Sequence, residues 1–187
     1  MDSPTDSRLD SRELRNAFGS FATGVTIITT READGTPRGL TANSFSSVSL
    51  EPPLLLVCIA KSALSLRVFQ EAPCFSVNIL EHSQTDVSRI FASQIADKFD
   101  RVPWERGVSD VPLLRGSLAR FSCETDRQID AGDHTILLGK VVDFDYQNGT
   151  PLSYFRGQYG TLSIASGNCK SQQDNTIKPA IEAGRKI

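Results

Sequence analysis

The sequence is poor in the residues from which most catalytic kits are built. It has two histidines, His82 and His134, in 187 residues. They lack the spacing of zinc ligands, so a metal centre is not expected. No GxGxxG, GxxxxGK(S/T) or GxSxG occurs, which removes the dinucleotide fingerprint, the P-loop and the nucleophile elbow. Carboxylates are too scattered to nominate an acid–base pair. No basic stripe exists, and the net charge is -2, so a nucleic-acid partner is not expected. The longest apolar run, Leu54 to Ala60, falls far short of the roughly 20 residues of a membrane helix. The first ten residues are polar and acidic, so no signal peptide is read there. The four cysteines, Cys58, Cys74, Cys123 and Cys169, form no CxxC, and three lie in apolar strand-like runs. They read as reduced thiols of a cytoplasmic protein. Cys58, within Leu-Leu-Leu-Val-Cys-Ile, lacks the electropositive setting of a nucleophilic thiolate.

What is present fits one domain with a tail. Apolar residues make up 39% of the chain. Residues 1–9 read as disordered, 10–162 as one domain, and 163–187 as a polar tail that closes a site or meets a partner. Asp10 and Glu13 form a capping-box pattern. Leu14, Ala17, Phe18 and Phe21 then make one apolar stripe, with Gly24 as the stop. From Val25 the period shortens to that of strands. Asp34-Gly35 marks a hairpin, Pro52-Pro53 a break, and Asn148-Gly149 a turn. Ser62 and Ser83 are candidate caps of two more helices, running to about Phe69 and Phe91. About six or seven strands and three helices are expected, joined mostly by turns rather than crossover helices. The expected class is therefore mainly β with α: an antiparallel barrel with a few flanking helices.

The segment from Arg38 to Pro53 departs from ordinary strand patterning. Thr41, Asn43, Ser44, Ser46, Ser47 and Ser49 place hydroxyl and amide groups on both faces. One reading is an exposed edge strand. The other is a strand lining a planar, polar-edged ligand, against which small side chains let the backbone approach closely. Strand Leu54–Ala60 then runs into Lys61-Ser62-Ala63-Leu64-Ser65. If Ser62 opens a helix, its amides with Lys61, Ser62 and Ser65 form a phosphate seat; the plain alternative is an N-cap beside a surface lysine.

Several strings, in order, carry a resemblance. They are Gly24–Thr30, Gly39–Leu50 with Pro52-Pro53-Leu54, Phe75–Leu80, Gly132-Asp133-His134 with Gly139, and Pro151–Tyr159. Over about residues 12 to 162 the chain resembles the flavin reductase-like family. The resemblance implies an FMN-binding split β-barrel that binds FMN or FAD as a homodimer. It implies cofactor contacts from Arg38, Thr41, Ala42, Asn43, Ser44, Ser49 and Cys58, and phosphate contacts from Lys61, Ser62 and Ser65. Further contacts are implied for Lys98, Tyr154, Arg156 and Tyr159. It gives His134 a place beside the nicotinamide of NADH, or less favourably NADPH. Read plainly, Gly-Asp-His is a turn with an Asp cap, and the tyrosines are core or interface residues.

The activity implied is NAD(P)H-dependent reduction of flavin, the reduced flavin diffusing to a separate monooxygenase. The rivals are a flavin carrier without turnover, a pyridoxamine-phosphate-oxidase-like enzyme, and a self-contained flavoenzyme. Phe91, Phe99, Trp104 and Tyr154 are candidates for a dimer interface or for core.

Overall fold

The computed structural model describes residues 10–163. The disordered stretch and the polar tail read from the sequence, with Cys169, lie outside the described residues. A short helix, α1 (Ser11–Phe18), is followed by strands β1 (Thr23–Gly24), β2 (Thr26–Arg31), β3 (Pro37–Ala42), β4 (Ser46–Leu50) and β5 (Pro53–Ala60). Then come α2 (Leu66–Glu71), β6 (Cys74–Ile79), a 3-10 turn and α3 (Thr85–Ala92). The rest is β7 (Trp104–Arg106), β8 (Pro112–Leu114), β9 (Ala119–Ala131), β10 (His134–Tyr146), β11 (Leu152–Phe155) and β12 (Gln158–Thr161).

The sequence separates two classes of strand. β5 alternates, with Leu55, Val57 and Ile59 buried and Leu54, Leu56 and Cys58 turned to the other face. Each buried member contributes about 1.5–3 kcal/mol of apolar burial. β2 is buried along nearly its whole length because it divides two cores. Ile28 faces the cluster of Val57, Phe75 and Leu137. Its neighbour Ile27 faces the cluster of Leu80, Phe91 and Leu114. Every buried threonine hydroxyl of β2 therefore has a carbonyl: Thr26 donates to Ala42 O at 2.8 Å, Thr29 to Pro112 O at 2.5 Å, and Thr30 to Cys74 O at 2.7 Å.

Seven strands form one antiparallel sheet in the order β3-β2-β6-β9-β10-β5-β4. β1, β11 and β12 form a second sheet, and β7 pairs with β8. Short strands inside the punctuated segment 92–116 and near the ends raise the number above the six or seven expected.

The first helix differs from its expectation. α1 is capped by Asp10, whose side chain accepts from the Arg12 and Glu13 amides, but it ends at Phe18, and Gly24 lies in β1. Its apolar stripe is not buried by the described residues: Phe18 is 70% and Phe21 77% exposed. Of the aromatic residues read as core or interface, Phe91 is buried core, and Phe99 and Trp104 pack partly buried against it. Their rings meet edge to face at 5.1 and 5.6 Å around the buried Phe91.

Candidate functional site

A cavity of about 470 Å³ opens between β3, the turn before α2 and the end of α3. Gly39 makes it possible. A Cβ there would lie 2.7 Å from Phe91 Cε1 and 3.1 Å from Ile28 O, so only glycine lets α3 lie this close to β3. Arg38 and Lys98 line one side, and Ser62, Leu64 and Ser65 another. Lys98 Nζ donates to Phe91 O at 3.0 Å and to Gly39 O at 3.3 Å, stapling the last turn of α3 to β3. An ammonium has three protons, so these bonds leave one for a ligand. Burial first, and the Arg38 charge second, push the Lys98 pKa below its ordinary value. Arg38 bonds Glu32 through Nε at 2.5 Å, which leaves its charge beside the cavity partly neutralised.

The seat itself differs from the expected one. The helix begins at Leu66 rather than Ser62, and its cap residue Ser65 makes no side-chain capping bond. The Ala63 and Leu66 amides are used in tight turns, bonding Ala60 O at 2.9 Å and Ala63 O at 3.0 Å. Ser62 and Ser65 thus line the cavity from a turn and not from a helix N-terminus. Lys61 lies outside this wall, with its ammonium 2.7 Å from Asp130.

The polar strand residues are largely engaged with the protein itself. Thr41 donates to Ser88 O at 2.6 Å, and Ser88 Oγ meets Tyr159 Oη at 2.9 Å. The Tyr159 ring packs against Tyr154 at 5.5 Å and beneath the Arg89 guanidinium. Ser44 accepts from Cys58 N at 2.9 Å and donates to Cys58 O at 3.0 Å, clasping the β3–β4 bend to β5. The Ala42 carbonyl is taken by Thr26, and Asn43 is exposed at the bend. Burial raises the Cys58 thiol pKa, so it stays protonated. Ser49 accepts from Glu51 N at 3.2 Å in the β4–β5 turn. It pairs with Leu54, about 20 Å along β5 from Ala60 at a strand's rise per residue. Arg156 holds the end of α1: its N–H donates to Gly19 O at 3.0 Å and its guanidinium lies over the Phe155 ring. Neither Ser49 nor Arg156 is brought to the cavity.

His134 opens β10 opposite Ala60, one residue before Lys61. Its Nδ1 lies 2.7 Å from Asp133 Oδ1. That contact, more than any other, holds the Asp133 carboxyl below its usual range. The imidazole thus sits, half-exposed, at the strand end that leads into the cavity-lining turn.

The sequence reading missed Ser88, Phe91 and the segment 93–96, all at or beside the cavity wall. Gly39, a glycine inside a strand, was the available signal of close approach. Ser88 has none, because it is a serine within a helix whose partners lie elsewhere in the chain.

An antiparallel β protein with a cation- and hydroxyl-lined cavity at one strand end is thereby defined. The chain belongs to the flavin reductase like domain family, whose model matches residues 18–163. It is 51% identical over 155 residues to the reductase component of the flavin-dependent trigonelline monooxygenase of Acinetobacter baylyi, covering 83% of this chain and 50% of that protein. It is 42% identical over 154 residues to the NADH-dependent FMN reductase SmoA of Agrobacterium fabrum, covering 82% of this chain and 87% of that one. The structure superposes with TM-score 0.80 on the NADH:FAD oxidoreductase SgcE6 of Streptomyces globisporus, solved with NAD and FAD fragments. That match has 36% identity and covers 89% of this chain and 99% of SgcE6. The chain spans about half the length of two curated relatives it matches, the trigonelline protein and a probable flavin reductase of Rhizobium meliloti.

Proposed function

We propose that this protein is an NADH-dependent flavin reductase that supplies reduced FMN or FAD to a separate monooxygenase. The observation that carries this reading is the cavity, with Lys98 and Arg38 facing Ser62 and Ser65 across apolar walls of Leu40, Ala63 and Phe91. Its donors suit a phosphorylated ligand with a flat apolar body. NADH and flavin, when bound, supply the hydride chemistry themselves. The chain's own tasks are to bind, orient and exclude water. Lys98 and Arg38 offer positive charge, and Ser62 and Ser65 offer hydroxyls. Gly39 and Phe91 shape the wall. Asp133 holds the imidazole of His134, which in this reading orients the nicotinamide carboxamide. Thr41 and Tyr159 support the site through Ser88 rather than by direct contact. No side-chain base is required, in keeping with the lack of an acid–base pair in the sequence.

In this reading the seven-stranded sheet closes as a split barrel. The approach of β3 to β5 through the Ser44–Cys58 clasp supports closure. The protein pairs as a homodimer in the same reading. The stack Phe45–Phe121–Phe144 and the exposed Val142 and Tyr146 supply an apolar face for it. The free thiols Cys58, Cys74 and Cys123 suit the cytoplasm. Among the described residues no helix is long and apolar enough to cross a membrane.

Purified protein mixed with NADH and either FMN or FAD tests the reading. Catalytic loss of NADH absorbance is expected with at least one flavin. Tightly retained flavin without turnover would identify a carrier and sink the reductase assignment.

A further inference from the structure

Toward its turn, the hairpin that carries His134 is held on the sheet by one strand only, β10, which pairs with β5 from His134 to Lys140. β6 covers β9 only from Ala119 to Glu124, where Glu124 pairs with Cys74. Beyond that point β9 has β10 on one side and no strand on the other. The turn Gly132-Asp133 closes the arm, with positive φ at Gly132 alone, the pattern of a type II′ hairpin.

Three side chains tie its free flank to the region around α2. Thr125 Oγ1 donates to Ala72 O at 3.1 Å, and Gln128 Nε2 to Gln70 O at 2.9 Å. At the tip, Lys61 Nζ bonds both oxygens of Asp130, at 2.7 and 2.9 Å. Lys61 also gives its backbone N–H to Asp133 O at 2.8 Å. A single residue therefore reaches β9 through its side chain and the turn through its backbone, next to His134 and next to the cavity-lining Ser62.

We infer that the Lys61–Asp130 ion pair is a strut that fixes His134 relative to the cavity, making Lys61 a positioning residue for the nicotinamide substrate and not a phosphate ligand. The inference rests on the reductase reading above. Its geometry is specific: the Lys61 ammonium is taken by Asp130, while Ser62 and Ser65 line the cavity and Lys61 does not. An exposed ion pair contributes modestly, so a modest and selective effect follows.

Steady-state kinetics and flavin titration of Lys61→Met, Asp130→Asn and the charge swap Lys61→Asp with Asp130→Lys test it. Both single variants are expected to raise KM for NADH about three- to fivefold. Their flavin Kd, read by fluorescence quenching, stays at the wild-type value. The charge swap recovers most of the loss. Gln128→Leu, an uncharged cut in the same arm, raises KM for NADH in the same direction. A phosphate ligand behaves otherwise: Lys61→Met then weakens flavin binding while Asp130→Asn leaves it unchanged or tightens it, and that result overturns the strut. Unchanged KM in all variants, with wild-type protein turning over NADH, overturns it too and leaves the reductase reading intact. Absence of turnover by the wild-type protein overturns that reading itself.

Discussion

Thr29, Ser76 and Asn78 lie in the middle of the large sheet, whereas Arg38, Lys98, Ser62 and Ser65 lie at its border around the cavity. In the first group all three side chains are fully buried. Thr29 and Ser76 share Pro112 O at 2.5 and 2.7 Å, and their hydroxyls also touch each other. Asn78 donates to Ile27 O and Ser76 Oγ, both at 3.1 Å, and accepts from Leu114 N at 2.8 Å. This knot ties β2, β6 and β8 together and leaves little bonding capacity for anything else. The border group keeps capacity in reserve: Lys98 uses two of its protons, and Arg38 bonds Glu32 through one nitrogen. Saturated polar groups build the protein, and unsaturated ones at a cavity are left to bind. The two groups should therefore respond oppositely to substitution.

The largest effect is expected at the knot. Asn78→Ala orphans the Leu114 N–H in the interior and removes the side-chain amide bonds to Ile27 O and Ser76 Oγ. A loss of about 3 kcal/mol of stability follows, since each buried unsatisfied group costs about 1–3 kcal/mol. Urea denaturation measures it. Flavin Kd of the folded fraction should not change. If affinity falls in proportion to stability, the division between the two groups is broken.

Lys98→Met should show the reverse balance. The thioether keeps the stem's packing but removes the charge and the staple from Gly39 O to Phe91 O. Flavin affinity should fall about tenfold, roughly the 1.4 kcal/mol of one charge-assisted contact. Isothermal titration with FMN and FAD reads this directly. An unchanged Kd for both flavins would remove Lys98 from the binding wall and leave it as a staple only.

The same contrast explains how far the sequence could be read. β2, β5 and the Asp34-Gly35 hairpin are written locally, in β-branched runs, alternation and turn residues, and they appear where the patterns put them. The polar strand reads either as an exposed edge or as a ligand-lining surface, because serine and threonine look the same whether they serve solvent, backbone or ligand. Thr41 finds its partner 47 residues away on α3, and Ser44 finds its own 14 residues away on β5. Only the tertiary fold reveals that these hydroxyls are already engaged. Arg38 and Gly39, at the start of the same segment, do reach the cavity. Lys61 is a similar case. Its neighbours Ser62 and Ser65 mark a cavity-lining turn, but the acid that captures its ammonium, Asp130, is 69 residues on. Phe91, Phe99 and Trp104 gave only apolar character, which core and interface share.

Glu81 offers the smallest and most finely graded test, because it is only partly buried and yet belongs with the saturated groups. It caps the 3-10 turn His82–Gln84 that leads into α3, the helix whose far end walls the cavity. One carboxylate oxygen accepts from the Ser83 hydroxyl at 2.5 Å and the Ser83 amide at 2.8 Å, and the other meets His82 Nδ1. The Ser83 hydroxyl first, then its amide, then His82, lower the Glu81 pKa from 4.5 to about 2. A carboxyl whose pKa is depressed on folding stabilises the native state above its unfolded pKa. That stabilisation is lost as protons bind on descending through the folded pKa. The wild-type protein should therefore lose stability progressively from pH 4.5 down to about 2 through this group. Glu81→Gln should be slightly less stable at neutral pH and show a flatter acid limb across that window, in urea midpoints measured as a function of pH. Flavin Kd at neutral pH should stay at the wild-type value, since the residue holds the entry of α3 and not its cavity end. An acid limb identical to wild type would show that Glu81 caps the turn without coupling its protonation to the fold.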